Sequence, residues 1–340
     1  MRMIDIAAAA GVSLSTVSRV INSGKNISPA TIALVRRVMQ EMGYRPDIAK
    51  SKRAAQEDEI FLESHVTVLS FAWKTEPNLV CGLENLNQLS TALAKQGLQM
   101  TYLHWPWNCQ LPAELIERSQ GFVLVEGTPP VKAYRQLASK PVVSLFCPPG
   151  VPGDQILTGY YQVGQLAASY LLQQNIRHMI LLHPHNQPGF LIEQGEGFKL
   201  FCTKEENITF EELIPDAKSA PSNTEWLEQQ VQEMLGRILL MSDVPLGIFS
   251  PSCHVTALAY RYLYQRGIVP GKEIHFICSS HQMSLLGGLY PRPAVIDIGL
   301  AEMAENAAHL LRLRIKNPHA QRPLQISVSP RLLDYELQPK

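Results

Sequence analysis

Between Ala10 and Asn22 the chain reads AGVSLSTVSRVIN. Val12, Val17, Val20 and Ile21 recur at the spacing of one helix face, yet hydroxyls occupy Ser13, Ser15, Thr16 and Ser18, with Arg19 among them. Serine and threonine are mediocre helix formers because their hydroxyls compete with the backbone for hydrogen bonds. Such a cluster points to a partner outside the helix. A phosphate or a base edge offers the acceptors and donors to use it.

The surrounding residues predict the elements that position these groups. A first helix runs from about Met3 to Ala10 and stops at Gly11, and a second starts after Ser13 as N-cap and runs to about Asn22. A third has Ser28 as cap and Pro29 at its first position, where the missing N–H costs nothing, and continues through Ile32, Val35, Val38, Met39 and Met42 to Gly43. Two helices joined by a tight glycine turn and closed by a third make a helix-turn-helix. In that motif the start of the second helix faces base edges in the major groove. Leu14, Ser15 and Thr16 stand at that start and Arg19 one turn on.

The charge distribution agrees. The whole chain has 30 basic and 30 acidic residues, but residues 1–54 carry nine Lys or Arg against the three acids Asp5, Glu41 and Asp47, leaving 21 against 27 in the rest. A basic end on an acidic body is the footprint of a nucleic-acid-binding module joined to a domain with another task; a merely solvated basic face is the bland alternative.

The runs IDIAAAAGVSLSTVSRVIN (residues 4–22) and GYRPD (residues 43–47) closely resemble the DNA-binding headpiece of the lactose-repressor and galactose-repressor family, over about the first 47 residues. The resemblance implies that Ser15 and Arg19 read bases, that Leu14 touches a thymine methyl, and that Thr16, Ser18, Asn22 and Tyr44 contact or position phosphates. It also marks a departure. The family's hinge helix pushes a leucine wedge into the minor groove, whereas DIAKSKRAAQEDE has Asp47 where asparagine is usual and no leucine from Ile48 to Ile60. Lys50, Lys52 and Arg53 can neutralise phosphates or enter a narrow minor groove, but they cannot intercalate as an apolar wedge does.

From His65 onward short apolar runs alternate with helical ones. VTVLSF (66–71), LQMTYL (98–103), GFVLVE (121–126) and PVVSLF (141–146) read as buried parallel strands, with helices near 83–95, 112–118 and 132–138. HMILLH, ITFEEL, PLGIFS and IHFICS form a second set, with helices near 163–173, 226–239 and 256–265. Two doubly wound lobes follow, with ligands expected outside the carboxyl ends of the strands. QVGQLAASYLLQQNIRHMILL and LAEMAENAAHLL resemble the corresponding helices of the family's periplasmic-binding-protein-like sensor.

The groups that usually grip the family's sugar or purine effector are replaced. Tyr160 and Tyr161 stand for an asparagine-aspartate pair, Gln194 for an arginine, Ser252 and Cys253 for an Asn-Asp pair, and Ser279, Ser280 and His281 for a Phe-Asp-Asp run. Polyols are held by charged or bidentate groups, so two readings stand. In one, a different small molecule is bound by Tyr160, Tyr161, His183, His185, Gln194, Ser252, His254, Ser280 and His281. In the other, the cleft binds nothing and the body only dimerises the headpieces.

A zinc site from His183, His185, His254, His281 and Cys253 matches no local ligand spacing, so no metal or cofactor is expected. Nucleophile-elbow, Walker and dinucleotide fingerprints are lacking, so no enzyme is expected. No signal peptide or apolar run near 20 residues is read, and the six scattered cysteines form no CxxC pair, which together suggest a cytoplasmic chain with no membrane partner.

The expected chain is α/β: an all-α helix-turn-helix headpiece over 1–47, a hinge or linker over 48–64, and a two-lobed periplasmic-binding-protein-like body over 65–340 with two doubly wound parallel sheets. Lobe 1 is expected at about 65–157 and 290–320, and lobe 2 at about 158–289 and 321–340. Its expected partners are double-stranded operator DNA, a second copy in a homodimer, and a small-molecule effector, sugar-like or other. Without a leucine wedge the chain should bend its DNA less than the family does. Fluorescence transfer between the ends of a bound duplex measures this, and a full family-sized bend contradicts it.

Overall fold

The computed structural model describes residues 3–22, 27–42, 64–72, 83–106, 109–125, 131–146, 151, 153–183, 189–214, 224–239, 245–280, 283–317 and 322–333. The chain divides into two compact units, Met1–Glu63 and Ser64–Lys340. Among the described residues no single helix is long and apolar enough to cross a membrane.

The first unit contains α1 (Met3–Ala10), α2 (Leu14–Asn22) and α3 (Pro29–Glu41). Gly11, at φ +62°, turns the chain after α1, and α2 leaves at 109° to it, within the range of a helix-turn-helix. The Ser28 side chain accepts the Thr31 N–H at 3.2 Å, with proline in the first turn of α3, as the local sequence predicts. Ile6, Ala7 and Ala10 from α1, Val17 and Val20 from α2, and Val35 and Val38 from α3 close one small core.

The second unit holds two six-stranded sheets. In the first, β1 (His65–Ala72), β2 (Gln99–Pro106), β3 (Gly121–Val125), β4 (Val142–Leu145), β5 (Asp154–Thr158) and β11 (Gln325–Val328) are all parallel, in the order β11-β5-β4-β3-β1-β2. In the second, β6 (His178–Leu182), β7 (Thr209–Leu213), β8 (Leu246–Ser250), β9 (Ile274–Ser279), β10 (Ala294–Asp297) and β12 (Arg331–Leu333) run β12-β10-β9-β8-β6-β7, with β12 alone antiparallel. Every residue of β3 and β8 is buried, as continuous apolar strands between helical layers must be.

The helices of this unit are α4 (Leu83–Lys95), α5 (Ala113–Arg118), α6 (Val131–Leu137), α7 (Tyr160–Gln173), α8 (Gly189–Lys204), α9 (Thr224–Leu239), α10 (Cys253–Gln265) and α11 (Leu300–Lys316). Helices α7 and α8 meet backbone to backbone. A Cβ on Gly164 would lie 2.0 Å from the Gln194 carbonyl oxygen, and one on Gly197 2.0 Å from that of Tyr161.

The lobe boundaries differ from the expected ones. Residues 290–298 do not return to the first lobe, because β10 pairs with β9 in the second sheet, Ala294 opposite Ile277. Residues 325–328 do not belong to the second lobe, because β11 pairs with β5, Gln325 opposite Gln155. The chain crosses instead at Gly159, Gly299 and after Val328. Gly299, at φ +75°, permits the turn into α11, and a Cβ there would lie 2.5 Å from Val328 Cγ1. The Thr158 hydroxyl and the Gly159 N–H both donate to the Val328 carbonyl, at 3.1 and 3.2 Å.

Asp154 fixes the segment that leads from α11 into β11 of the first sheet. Its carboxylate accepts Arg314 Nε and Nη2 at 2.7 Å each and the Leu324 N–H at 2.7 Å, while Arg314 Nη2 also donates to the Arg322 carbonyl. Asp154 keeps 4% of its side-chain exposure and Arg314 12%, so this pair is screened little by water. Removing one partner strands a buried charge. Arg314→Ala should lower the unfolding free energy by about 3–5 kcal/mol in denaturant titration, and a loss below about 1 kcal/mol contradicts this role.

Candidate functional site

Helix α2 is built so that its two sides do different work. Val17 and Val20, 0% and 6% exposed, rest on Ile6 and Val35 and fix the rotation of the helix about its axis. Leu14, Ser15 and Arg19 are consequently exposed, Leu14 at 46%, while Thr16 and Ser18 are half-buried. Asn22 closes the helix.

At the start of α2 the Ser13 hydroxyl accepts the Thr16 N–H at 3.2 Å and lies 2.8 Å from both the Ser15 and the Thr16 hydroxyls. The sequence marks Ser13 both as an N-cap and as one of the hydroxyl cluster; its contact with both neighbouring hydroxyls depends on rotamers that spacing does not reveal. The four orphan N–H groups of a helix start, with the positive end of the macrodipole, favour a phosphate there. Tyr44, Lys50, Lys52 and Arg53, and with them the hinge segment up to Glu63, lie outside the described residues, as does the Asn22 side chain.

In the second unit, the expected ligand residues fall into three groups. Tyr161, at 37% exposure, and the half-buried Ser252 and His254 keep access to solvent. Ser252 also caps α10, its hydroxyl accepting the Val255 N–H at 3.3 Å. Burial pushes the His254 imidazole pKa below its ordinary value.

Tyr160, His183, Gln194 and Ser280 form the enclosed group, each at 5% exposure or less. Gln194 is sealed by the α7–α8 contact through Gly164 and Gly197. His183 Nε2 pairs with Glu212 Oε1 at 3.0 Å, and Lys199 Nζ holds Glu212 Oε2 at 3.1 Å, which raises the lysine's pKa. Gly195 makes room for the ring: a Cβ there would meet His183 Cε1 at 2.5 Å. The Ser280 hydroxyl donates to Asp297 Oδ1 at 3.3 Å and accepts the Ile298 N–H at 3.0 Å.

His185 and His281 make the third group, outside the described residues. Among the described residues no three His, Cys, Asp or Glu side chains are arranged to hold a metal ion.

Residues 2–47 match the family model described as bacterial regulatory proteins, lacI family. Across 329 residues, 93% of this chain and 92% of the relative, the sequence is 25% identical to the ribose operon repressor of Haemophilus influenzae. The fold is that of a LacI-family transcriptional regulator from Enterococcus faecium with bound ribose (TM-score 0.64, 18% identity, 79% of this chain and 97% of that one). It is also that of the lac repressor dimer bound to operator and an anti-inducer (TM-score 0.62, 16% identity, 98% of each chain). Residues 2–47 are thus a lacI-family helix-turn-helix domain, and the two-sheet α/β body has the fold of these regulators.

Proposed function

We propose that this chain is a sequence-specific repressor that binds a palindromic operator as a homodimer, each α2 lying in the major groove of one half-site. The observation that carries this reading is the division of α2. Its apolar side is consumed by the core of its own unit, leaving Ser15 and Arg19 outward at the helix start. Arg19 reads a guanine, Leu14 packs on a thymine methyl, and Thr16, Ser18, Asn22 and Tyr44 hold phosphates, with Lys50, Lys52 and Arg53 adding charge along the hinge. A two-fold dimer of such units calls for a two-fold site.

Selection of bound sequences from random duplex DNA at about 0.15 M salt tests this, since non-specific phosphate binding is weak there. A palindromic site should emerge. Arg19→Ala should relax one base position per half-site by about 1–3 kcal/mol and leave the other positions unchanged. An unaltered site preference in Arg19→Ala contradicts the placement of α2.

The second unit is proposed to take a small-molecule effector at the carboxyl ends of its strands, with Tyr161, Ser252 and His254 at the entrance, Tyr160, His183, Gln194 and Ser280 behind them, and His185 and His281 as further ligand residues. The ribose bound to the Enterococcus faecium regulator supports a ligand in this fold. Binding would act by changing lobe closure, a coupling of about 1–3 kcal/mol. One observation favours a second reading, a body that dimerises without a ligand: the polar groups of His183, Ser252 and Ser280 already bond within the protein. A small-molecule library screened by thermal shift on the full chain separates the two. Only a ligand-binding cleft raises the melting temperature.

A further inference from the structure

The three hydroxyls at the start of α2 share too few protons to act independently. A serine hydroxyl has one proton to donate and two lone pairs that accept. In Ser13 one lone pair faces the Thr16 N–H at 3.2 Å, a proton it shares with the Ser13 carbonyl at 2.9 Å. One lone pair and one proton remain for two neighbours, the Ser15 and Thr16 oxygens, each 2.8 Å away. One neighbour must therefore donate to Ser13 and the other accept from it. Ser15 and Thr16 face outward with opposite hydrogen-bond polarity.

The placement of the two residues on α2 decides which is which. Ser15 stands on the side opposite Val17 and Val20 and is exposed, whereas Thr16, about 100° further round the helix, is half-buried on its flank. A helix about 10–12 Å across fills a major groove about 12 Å wide, so its front meets base edges and its flanks meet the sugar-phosphate walls. Phosphate oxygens only accept. Thr16 on the flank gives its proton to the wall and accepts from Ser13, and Ser15 must then donate its own proton to the remaining lone pair of Ser13.

We propose that Ser13 sets Ser15 as an acceptor, so that Ser15 selects a base carrying an amino group, adenine or cytosine. The groups that donate into the major groove are adenine N6 and cytosine N4, and against guanine O6 or thymine O4 the Ser15 lone pairs face other lone pairs. Ser13 is thus a positioning residue that never touches the base. The inference rests on the reading of α2 as the groove-binding helix.

The experiment is bound-sequence selection with the full chain in four forms: wild type, Ser15→Ala, Ser13→Gly and Ser13→Thr. Glycine keeps a tolerable N-cap, so the helix survives while the shared proton is lost; threonine restores the hydroxyl. At the position that Ser15→Ala makes indifferent, replacing the adenine or cytosine of the selected pair by its analogue lacking the exocyclic amino group should weaken wild-type binding about fivefold, the ratio that one net hydrogen bond supplies. Ser13→Gly should lose that response at that position alone, and Ser13→Thr should keep it. Unchanged binding when the amino group is removed, a Ser15→Ala profile identical to wild type, or an unchanged response in Ser13→Gly overturns the inference while leaving α2 in the groove. If the wild type enriches no site, the groove reading itself fails and takes the inference with it.

Discussion

The packing of Val17 and Val20 onto Ile6 and Val35 governs what the headpiece can present to a partner. A helix of nine residues is marginal by itself in water, and serine-rich helices more so. Tertiary burial of two valines therefore holds α2 together and also sets its rotation. A turn of one residue position, about 100°, would carry Ser15 and Arg19 off the outer side. The hydroxyls that weaken the helix as an isolated element are retained where the core does not need the positions they occupy.

The body solves a different problem, how three chain crossings can join two sheets. All three meet at Val328, whose carbonyl takes two donors from Thr158 and Gly159 and whose side chain lies against Gly299. The buried Arg314–Asp154 pair anchors the lead-in to β11, which ends at Val328, to the first sheet through Leu324. Around the strand ends of the second sheet, Ser280 and Asp297 bond each other and the backbone entering the crossing at Gly299. Any ligand that competes for these groups acts directly on the segment joining the lobes.

The sequence was most legible where structure is local. Ser13 and Ser28 as caps, Pro29 in a first helical turn and Gly11 after the first helix all follow from properties of single residues and their near neighbours, and the bounds of α1 and α2 coincide with those predicted, whereas α7, α9 and α10 begin two or three residues earlier than predicted. Pairings between distant segments were not legible. The four-residue strands β10 and β11 carry too little alternation to be read, and their sheet membership depends on Asp154 and Gly299, far away in the chain. The same is true of the ligand residues. Gln194, in place of the family's arginine, and His183 read as ligand residues in the sequence, but the first lies where α7 and α8 approach closely through Gly164, the second pairs with Glu212, and both are buried.

The central claim is that α2 reads base edges, and a competition measurement tests it most directly. The full chain at about 0.15 M salt is offered its selected site against a random duplex of equal length, and the ratio of the two affinities is measured. Base reading predicts a ratio of about 10³ or more, retained as salt rises and both affinities fall. A ratio near one, with both duplexes released together by salt, would mean that the basic headpiece holds phosphates alone and that the outward face of α2 reads nothing.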